Sequence, residues 1–462
     1  MKGKNSKTQP VGASRTAMLI GAVAALTALR ISVATGGAFN ENEAFLSLCA
    51  AHPAGAYIEG AAGTPLLLAL LKAFGVSGVA ALRWVSPLAL LPLSWAVWWI
   101  GRRVAPHRHA VAMWAVLGVN LLPPVTLASL VMNGAMITAT LLLLSVVAGW
   151  HAALARGASG IGAWALFGGT LAVSTLFWQP VGWLLPVAVA FRFLNEGGKA
   201  FPWKGLVAAF GLLLIGWIAP LGWNARHDWV GWSSVAAGFD VITIGSRSLS
   251  LGLLVALCGV ITPFLVRLAY VARGWAVAVM LFGAVMALGS GVMLVFPSVI
   301  PSGLPSPLGV QGIGDLAGEL LSLRRGRTDA KGEQSFLIAS TPGLAALLGS
   351  KITVDYPERP GAPSVFAAES PSLNSSFSLW PSYPDAVAAG VVDALYTEEK
   401  SASPFLGRNA LYITTETREE LPQTITGAFG AVGLLKEVPL TWNGRPVTIR
   451  IYQCEDYHTL SL

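Results

Sequence analysis

The chain has 462 residues, 54% of them hydrophobic and only 11% charged, with 17 tryptophans and a mean hydropathy of +0.63. A single core in a water-soluble domain cannot absorb that much apolar surface, so composition excludes an ordinary soluble protein and implies a multi-pass membrane protein. The net charge of +7 falls mostly in short loops between apolar segments, where it sets topology; it is not read as nucleic-acid binding.

Residues 1–16, with Lys2, Lys4, Lys7 and Arg15, form a cytoplasmic tail. The first apolar segment, Ala17 to Thr35, is interrupted by Arg30 and reads as a signal anchor rather than a cleaved signal peptide. Arg30 falls near the outer end of that helix, where it either snorkels to the headgroups or faces a site. An acidic outer loop follows, carrying Glu41, Asn42, Glu43, Tyr57 and Glu59, and then a short apolar helix from Pro65 to Phe74. Further segments near the length needed to cross a ~30 Å hydrocarbon core run from Leu82 to Ile100, Ala110 to Leu122, Val125 to Trp150, Ile161 to Leu176, Val181 to Phe193, Leu206 to Trp223, Leu249 to Val266 and Trp275 to Phe296. With the first, these predict about nine spans over residues 17–296.

The cations alternate accordingly. Arg102, Arg103 and Arg108, then Arg156, then Arg192, Lys199 and Lys204, then Arg267 and Arg273 all fall on the side of the N-terminus. The positive-inside rule makes that side cytoplasmic, so the acidic loop, the Trp223 to Trp229 loop and everything after Phe296 lie outside.

The loop after the seventh segment concentrates polarity: Trp223-Asn224-Ala225-Arg226-His227-Asp228-Trp229 places three ionisable side chains in a row between tryptophans. Burying them in hydrocarbon would cost several kcal/mol each, so they mark either an interfacial anchor or a headgroup or phosphate site. A Pro, Gly and Ser linker over 297–313 ends the membrane part. Residues 314–462 then read as a small soluble α/β domain: a helix over Gly314 to Arg325, strands at Phe336 to Ala339 and Leu411 to Thr414, a helix over Arg418 to Phe429, and a closing strand in which Val447, Ile449 and Ile451 alternate with polar residues after an Asn443-Gly444 hairpin turn. Cys49, Cys258 and Cys454 fit neither a metal spacing nor a disulfide framework. No ligand spacing supports a metal, although a divalent cation at the first-loop acids stays open as a cofactor.

The order of elements, together with Trp223 to Val230, Arg30, Asn42-Glu43-Ala44-Phe45, Tyr57-Ile58-Glu59, Leu379-Trp380-Pro381 and the closing Arg450 to Cys454 run, resembles the bacterial membrane glycosyltransferases related to dolichyl-phosphate-mannose-protein mannosyltransferases, the family 39 and aminoarabinose-transferase group of the GT-C class. The resemblance implies an all-α polytopic membrane domain with a C-terminal α/β extracytoplasmic domain, and transfer of a sugar from a polyprenyl-phosphate donor in the membrane lipid. The departures fall on the chemistry. The family's first-loop Asp is Asn42, no carboxylate stands in Met132-Asn133-Gly134-Ala135 where the family has its second acid, and Gly60 to Pro65 and Phe177-Trp178-Gln179 replace two further family motifs. An amide neither takes a proton at neutral pH nor binds a hard cation as a carboxylate does.

Carried onto this chain, the resemblance assigns a catalytic role to Glu43, with Glu41 and Asn42 beside it. It assigns donor binding to Glu59, Tyr57, Arg226, His227, Asp228, Asn224 and Arg30. Arg226 suits a phosphate because its guanidinium makes charge-assisted, bidentate hydrogen bonds. Two other readings stand next to this one: a catalytically inactive homologue that binds lipid or assists assembly, and a transporter.

Overall fold

The computed structural model describes residues 11–76, 82–154, 159–196, 202–230, 241–244, 247–301, 304, 306–329, 332–352, 362–369, 375–383, 404–416 and 421–458. The chain forms two compact units. The first comprises residues 1–36, 80–218 and 240–305, and the second residues 37–79, 219–239 and 306–462.

The first unit is helical apart from one antiparallel strand pair, Val241–Ile244 with Arg247–Ser250. Among the described residues six helices are long and apolar enough to cross a membrane: Ser14–Thr35, Ala135–Leu154, Gly160–Phe177, Trp203–Arg226, Leu251–Val271 and Trp275–Val295. His109–Asn120 and Pro123–Leu130 make a seventh if the pair, bent by 56°, is taken as one span. Three expected spans are built differently, each for a local reason. Val125 to Trp150 is interrupted at Val131, which is extended, and at Gly134, whose φ of +85° is left-handed. Leu82 to Ile100 becomes short turns leading into the 15-residue helix Leu90–Val104. Val181 to Phe193 opens as a tight 3₁₀ turn, Gln179–Trp183, before Leu184–Glu196 continues as α-helix. The bend at Leu121 and Leu122 has the expected cause: Pro123 cannot continue a helix and pushes Leu122 into the extended region.

Arg30 is buried at that bend and does not snorkel. Its Nη2 donates to the Asn120 carbonyl, near the end of the helix before the break, and to Thr126 Oγ1 at 3.3 Å in the helix after it. Asn120 in turn donates through Nδ2 to Ser94 Oγ at 2.9 Å, tying Leu90–Val104 to the same point. The guanidinium therefore meets the Asn120 carbonyl at the end of the broken helix, where a positive charge is also favoured by the helix dipole. Elsewhere helices meet through small residues: a Cβ on Gly168 would lie 2.4 Å from the Ala209 carbonyl oxygen, so only glycine permits the approach of Gly160–Phe177 to Trp203–Arg226.

The second unit is built on a six-stranded sheet. Its strands are β1 (Val310–Gln311), β2 (Phe336–Ala339), β3 (Phe366–Ala367), β4 (Ala410–Thr414), β5 (Phe429–Trp442) and β6 (Arg445–Tyr457), in the order β1-β5-β6-β4-β2-β3. β5 and β6 form the hairpin predicted from Asn443-Gly444, both turn residues having positive φ, 49° and 81°. The expected helix over Arg418 to Phe429 is corrected: within the described residues only Gln423–Thr426 is helical, and Phe429 opens the 14-residue strand β5. Alternation along the strands divides two cores. Leu337, Ala339, Leu411, Ile413, Ile449 and Ile451 pack with the helices Ile313–Arg325 and Pro342–Gly349. Phe336, Ile338, Tyr412 and Cys454 join the other face with Phe366, Tyr383, Phe405, Phe429 and Tyr457.

The first of those cores also contains Ala44, Phe45, Cys49 and Tyr57. The acidic loop is thus part of the sheet unit. Its helix, Glu41–Cys49, packs against Pro342–Gly349, and Ala38 and Phe39 hydrogen-bond through their backbones to Leu308 and Val310 at the head of the C-terminal domain.

Beside the aromatic core, Glu369 has one carboxylate oxygen buried without a partner among the described residues, while its backbone N–H donates to the Tyr383 hydroxyl at 2.8 Å. Burial pushes its carboxyl up to about 7. Because this folded value lies above the unfolded one, the stabilisation is complete below about pH 4.5 and is lost as pH rises through about 7. Chemical denaturation across this range should therefore show the sheet unit weakening toward alkaline pH, and Glu369→Gln should flatten that slope. An unchanged slope in the variant would contradict the assignment.

Candidate functional site

The first-loop helix begins with a reciprocal capping box. Asn40 Oδ1 accepts from the Glu43 backbone N–H at 2.9 Å, and the Asn40 backbone N–H donates to Glu43 Oε2 at 3.1 Å. Glu43 is buried at 2% exposure, whereas the neighbouring Asn42 is exposed. Glu41 lies against Gly343 and accepts from Thr341 Oγ1 at 3.5 Å, at the N-terminus of Pro342–Gly349. Burial pushes the Glu41 carboxyl up, with the Thr341 contact opposing.

Beyond the helix, Ala56–Tyr57 and Gly60–Ala61 pair as a small antiparallel hairpin, with Ile58 and Glu59 at its turn. Glu59 reaches the C-terminal domain: Oε1 accepts from Ser375 Oγ at 2.6 Å and from the Ser376 backbone N–H at 2.8 Å, and Oε2 accepts from Ser376 Oγ. The Ile58 N–H donates to Ser376 Oγ at 3.0 Å, completing the clamp. Tyr57 is buried beneath the hairpin. Its hydroxyl faces the Cys49 and His52 carbonyls at 2.9 and 3.0 Å and accepts from the Ala54 N–H at 3.1 Å, which shapes the loop around His52. Burial raises its phenol well above the usual range.

The polar turn lies at the end of Trp203–Arg226, and its last helical residues belong to this same unit. The Asn224 carbonyl accepts from the backbone N–H groups of His227 and Trp229 at 3.1 and 2.9 Å, wrapping the helix end. Asp228 and Trp229 are left-handed, with φ of 50° and 59°. His227 Nδ1 lies 2.8 Å from the Trp223 carbonyl, which can only accept, so that nitrogen is the donor; the imidazole stacks on the Trp223 indole at 4.2 Å. Gly55 makes the close approach to this helix end: a Cβ there would lie 2.4 Å from the Ala219 carbonyl oxygen.

These pieces enclose a cleft of about 430 Å³, lined by Ala51, His52, Pro53, Ala54, Ala56 and Tyr57 from the first loop, Trp223 and His227 from the helix end, and Ser376, Leu379 and Trp380 from the sheet domain. His52 stacks on Trp380 at 4.8 Å, and burial lowers its imidazole below the usual value. Of the residues singled out in the sequence, Tyr57 and His227 line the cleft. Glu59 stands behind Ser376, and Asn224, buried, with the exposed Arg226 and Asp228, lies in the adjoining turn without lining it. Glu41, Asn42 and Glu43 are on the first-loop helix of the same unit, also outside the lining, and Arg30 belongs to the helical unit. Among the described residues no three His, Cys, Asp or Glu side chains gather as a metal site. His52 and Ser376 carry no sequence signal of their own, and Trp380 is marked only by the Leu379-Trp380-Pro381 run.

Helices of spanning length joined to a mixed sheet domain, with the first loop folded into that domain, make a multi-pass membrane protein, and likeness to a solved structure makes the fold GT-C. In structure the chain is similar to ArnT from Cupriavidus metallidurans bound to undecaprenyl phosphate, at 13% identity and a TM-score of 0.52, over 95% of this chain and 98% of that one. The apo state of the same protein aligns at 14% identity, over 94% and 98%, with a TM-score of 0.44. No family model and no curated protein matches the chain. The likeness is one of fold.

The clamp at Glu59 has a measurable consequence. Removing a carboxylate that accepts three hydrogen bonds leaves two serines without their acceptor, so Glu59→Ala should destabilise the sheet unit by about 3 kcal/mol and Glu59→Gln by less. Denaturation of the purified variants would test this, and wild-type stability for Glu59→Ala would refute the structural role.

Proposed function

We propose that the protein is a membrane glycosyltransferase that moves a sugar from a polyprenyl-phosphate donor to an acceptor at the periplasmic face, with the cleft between His52, Tyr57, His227 and Trp380 as the reacting site. The observation that carries this reading is the convergence of the two stretches with the strongest family likeness, the first loop and the Trp223 to Trp229 turn, on a single cleft. ArnT, which shares the fold, binds undecaprenyl phosphate.

In this reaction a base takes the proton of the acceptor hydroxyl, the oxygen attacks the anomeric carbon, and the polyprenyl phosphate leaves with the bonding electrons. The family likeness points to Glu43 as the base. The cleft itself offers His52, half-buried, whose burial lowers its imidazole below the usual value and so favours the neutral, proton-accepting form. Arg226, exposed one residue before His227, is the cation nearest in sequence to the cleft for the leaving phosphate.

A second reading, a binding protein without turnover, is favoured by one specific observation. Glu41, Glu43 and Glu59 are each engaged in contacts that hold the unit together, and the position where the family keeps its Asp is Asn42. Purified protein incubated with polyprenyl-phosphate sugars separates these possibilities. His52→Ala should lower release of polyprenyl phosphate by roughly 10² to 10⁴. Glu43→Gln, in which the amide still completes the capping box, should keep most of the rate. The opposite pattern reassigns the base to Glu43, and donor binding with no release in the wild type identifies a silent binder.

The proposed orientation has its own check. In a background lacking native cysteines, a cysteine at Arg445 should react with a membrane-impermeant reagent from the periplasmic side and one at Arg103 should not; the reverse would move the cleft to the cytoplasmic face.

A further inference from the structure

The cleft's lining bears on which sugar it accepts, an inference that rests on the reading above and extends it. Among the described residues no Asp, Glu, Lys or Arg lines the cleft. The polar side chains that line it, those of His52, Tyr57, Trp223, His227, Ser376 and Trp380, are all uncharged donors or acceptors, set among indole and imidazole planes: His52 stacks on Trp380 with an interplanar angle of 26°, and His227 on Trp223 with 18°.

Glu59 already accepts three hydrogen bonds from Ser375 and Ser376 and lies behind the latter, and Asp228 is exposed on the adjoining turn. With the donor's phosphate met by Arg226 on the adjoining turn, an ammonium or carboxylate group on the sugar ring itself, set among the lining side chains, would lose water without gaining a counter-charge there, which costs several kcal/mol or forces neutralisation. A ring bearing only hydroxyls meets no such penalty. Its C–H faces are attracted to the negative faces of the aromatic planes, and its hydroxyls can pair with the nitrogens of His52 and with His227 Nε2, the His227 Nδ1–H being taken by the Trp223 carbonyl. The volume of about 430 Å³ lies within the about 300–1,000 Å³ of sites for small ligands.

We propose that this cleft selects an uncharged glycosyl ring, seated against the His52–Trp380 and His227–Trp223 stacks, over sugars that carry an amino or a carboxylate group. Trp380 and His52 are then specificity-determining residues.

Saturation-transfer NMR on the full chain in nanodiscs, with methyl glucoside, glucosamine and glucuronic acid as probes, tests this without requiring turnover. The expected result is saturation of the methyl glucoside ring protons with at least fivefold weaker signals from the two charged sugars, together with about five- to tenfold weaker methyl glucoside binding in Trp380→Ala. Because Trp380 also packs against Phe45 and Phe377, Trp380→Phe serves as the folded control and should restore most of the binding. Glucosamine or glucuronic acid binding as well as methyl glucoside, or Trp380→Ala binding methyl glucoside as the wild type does, would overturn the proposal. The two readings fail separately. A protein that binds neutral glycosides in this pattern but releases nothing from lipid-linked donors loses the transferase reading and keeps this one. One that transfers only a charged sugar keeps the transferase reading and loses this one.

Discussion

The cleft depends on one carboxylate. Glu59 sits at the turn of a two-stranded hairpin too small to be stable alone, and its hydrogen bonds to Ser375 and Ser376 connect residues more than three hundred positions apart. An ionised acceptor bonded to a backbone N–H and two hydroxyls is worth more than the same bonds between neutral groups. With the hairpin held, Tyr57 is buried under it and gathers the carbonyls of Cys49 and His52 around its hydroxyl. The His52 ring then comes to rest on Trp380, which follows Ser375 and Ser376 on the same short stretch of chain. The clamp and the wall of the cleft are therefore one construction.

The same physics accounts for the other two first-loop acids. A membrane protein with so few charges has little reason to bury carboxylates unless they satisfy donors. Glu43 closes a capping box at the start of Glu41–Cys49, and Glu41 lies at the head of Pro342–Gly349, where it accepts from Thr341 Oγ1 and the helix dipole favours negative charge. Phe45 from the same helix packs on Phe377 at 5.8 Å, so the acids and the aromatic face of one short helix dock it from two sides. Acids that a motif suggests for proton transfer can thus be required first for folding. Glutamine at position 43 can separate the roles because it retains the cap and loses the base.

What the sequence makes legible follows the range of the interactions. The Asn443-Gly444 hairpin, the strand at Phe336–Ala339 and the helix Ile313–Arg325 are set by neighbours a few residues away, and they stand close to where periodicity and turn chemistry put them. Spanning segments are legible as apolar length, and the break at Pro123 with them, but not every interruption: Val131 and Gly134 divide the run Val125 to Trp150, and the 3₁₀ turn at Gln179–Trp183 takes the start of Val181 to Phe193. Phe429 is misread because a β-branched and aromatic strand start directly follows a one-turn helix. The cleft is the least legible part. Tyr57 and His227 stand out because they sit in polar motifs, while His52 and Ser376 acquire their place only through pairings such as Glu59 with Ser376, for which a single sequence holds no local mark.

The turn that carries His227 shows a different sign of constraint. Asp228 and Trp229 both adopt left-handed backbone conformations, common enough for Asp but unfavourable for a tryptophan by roughly 1–3 kcal/mol. Such a conformation persists only where surrounding bonds impose it. Here the Asn224 carbonyl collects two N–H groups from beyond the helix end, and the Trp223 carbonyl takes the His227 imidazole. An ordinary helix terminus would place glycine or asparagine in this region and let the following side chains turn toward water. This one instead folds the chain back sharply after Arg226, so that His227 lies flat on the indole four residues before it and lines the cleft, while the charges of Arg226 and Asp228 stay exposed on the adjoining turn. The strain lies in the residues immediately after the one that reaches the cleft, which is where it would be needed to keep an imidazole in and two formal charges out.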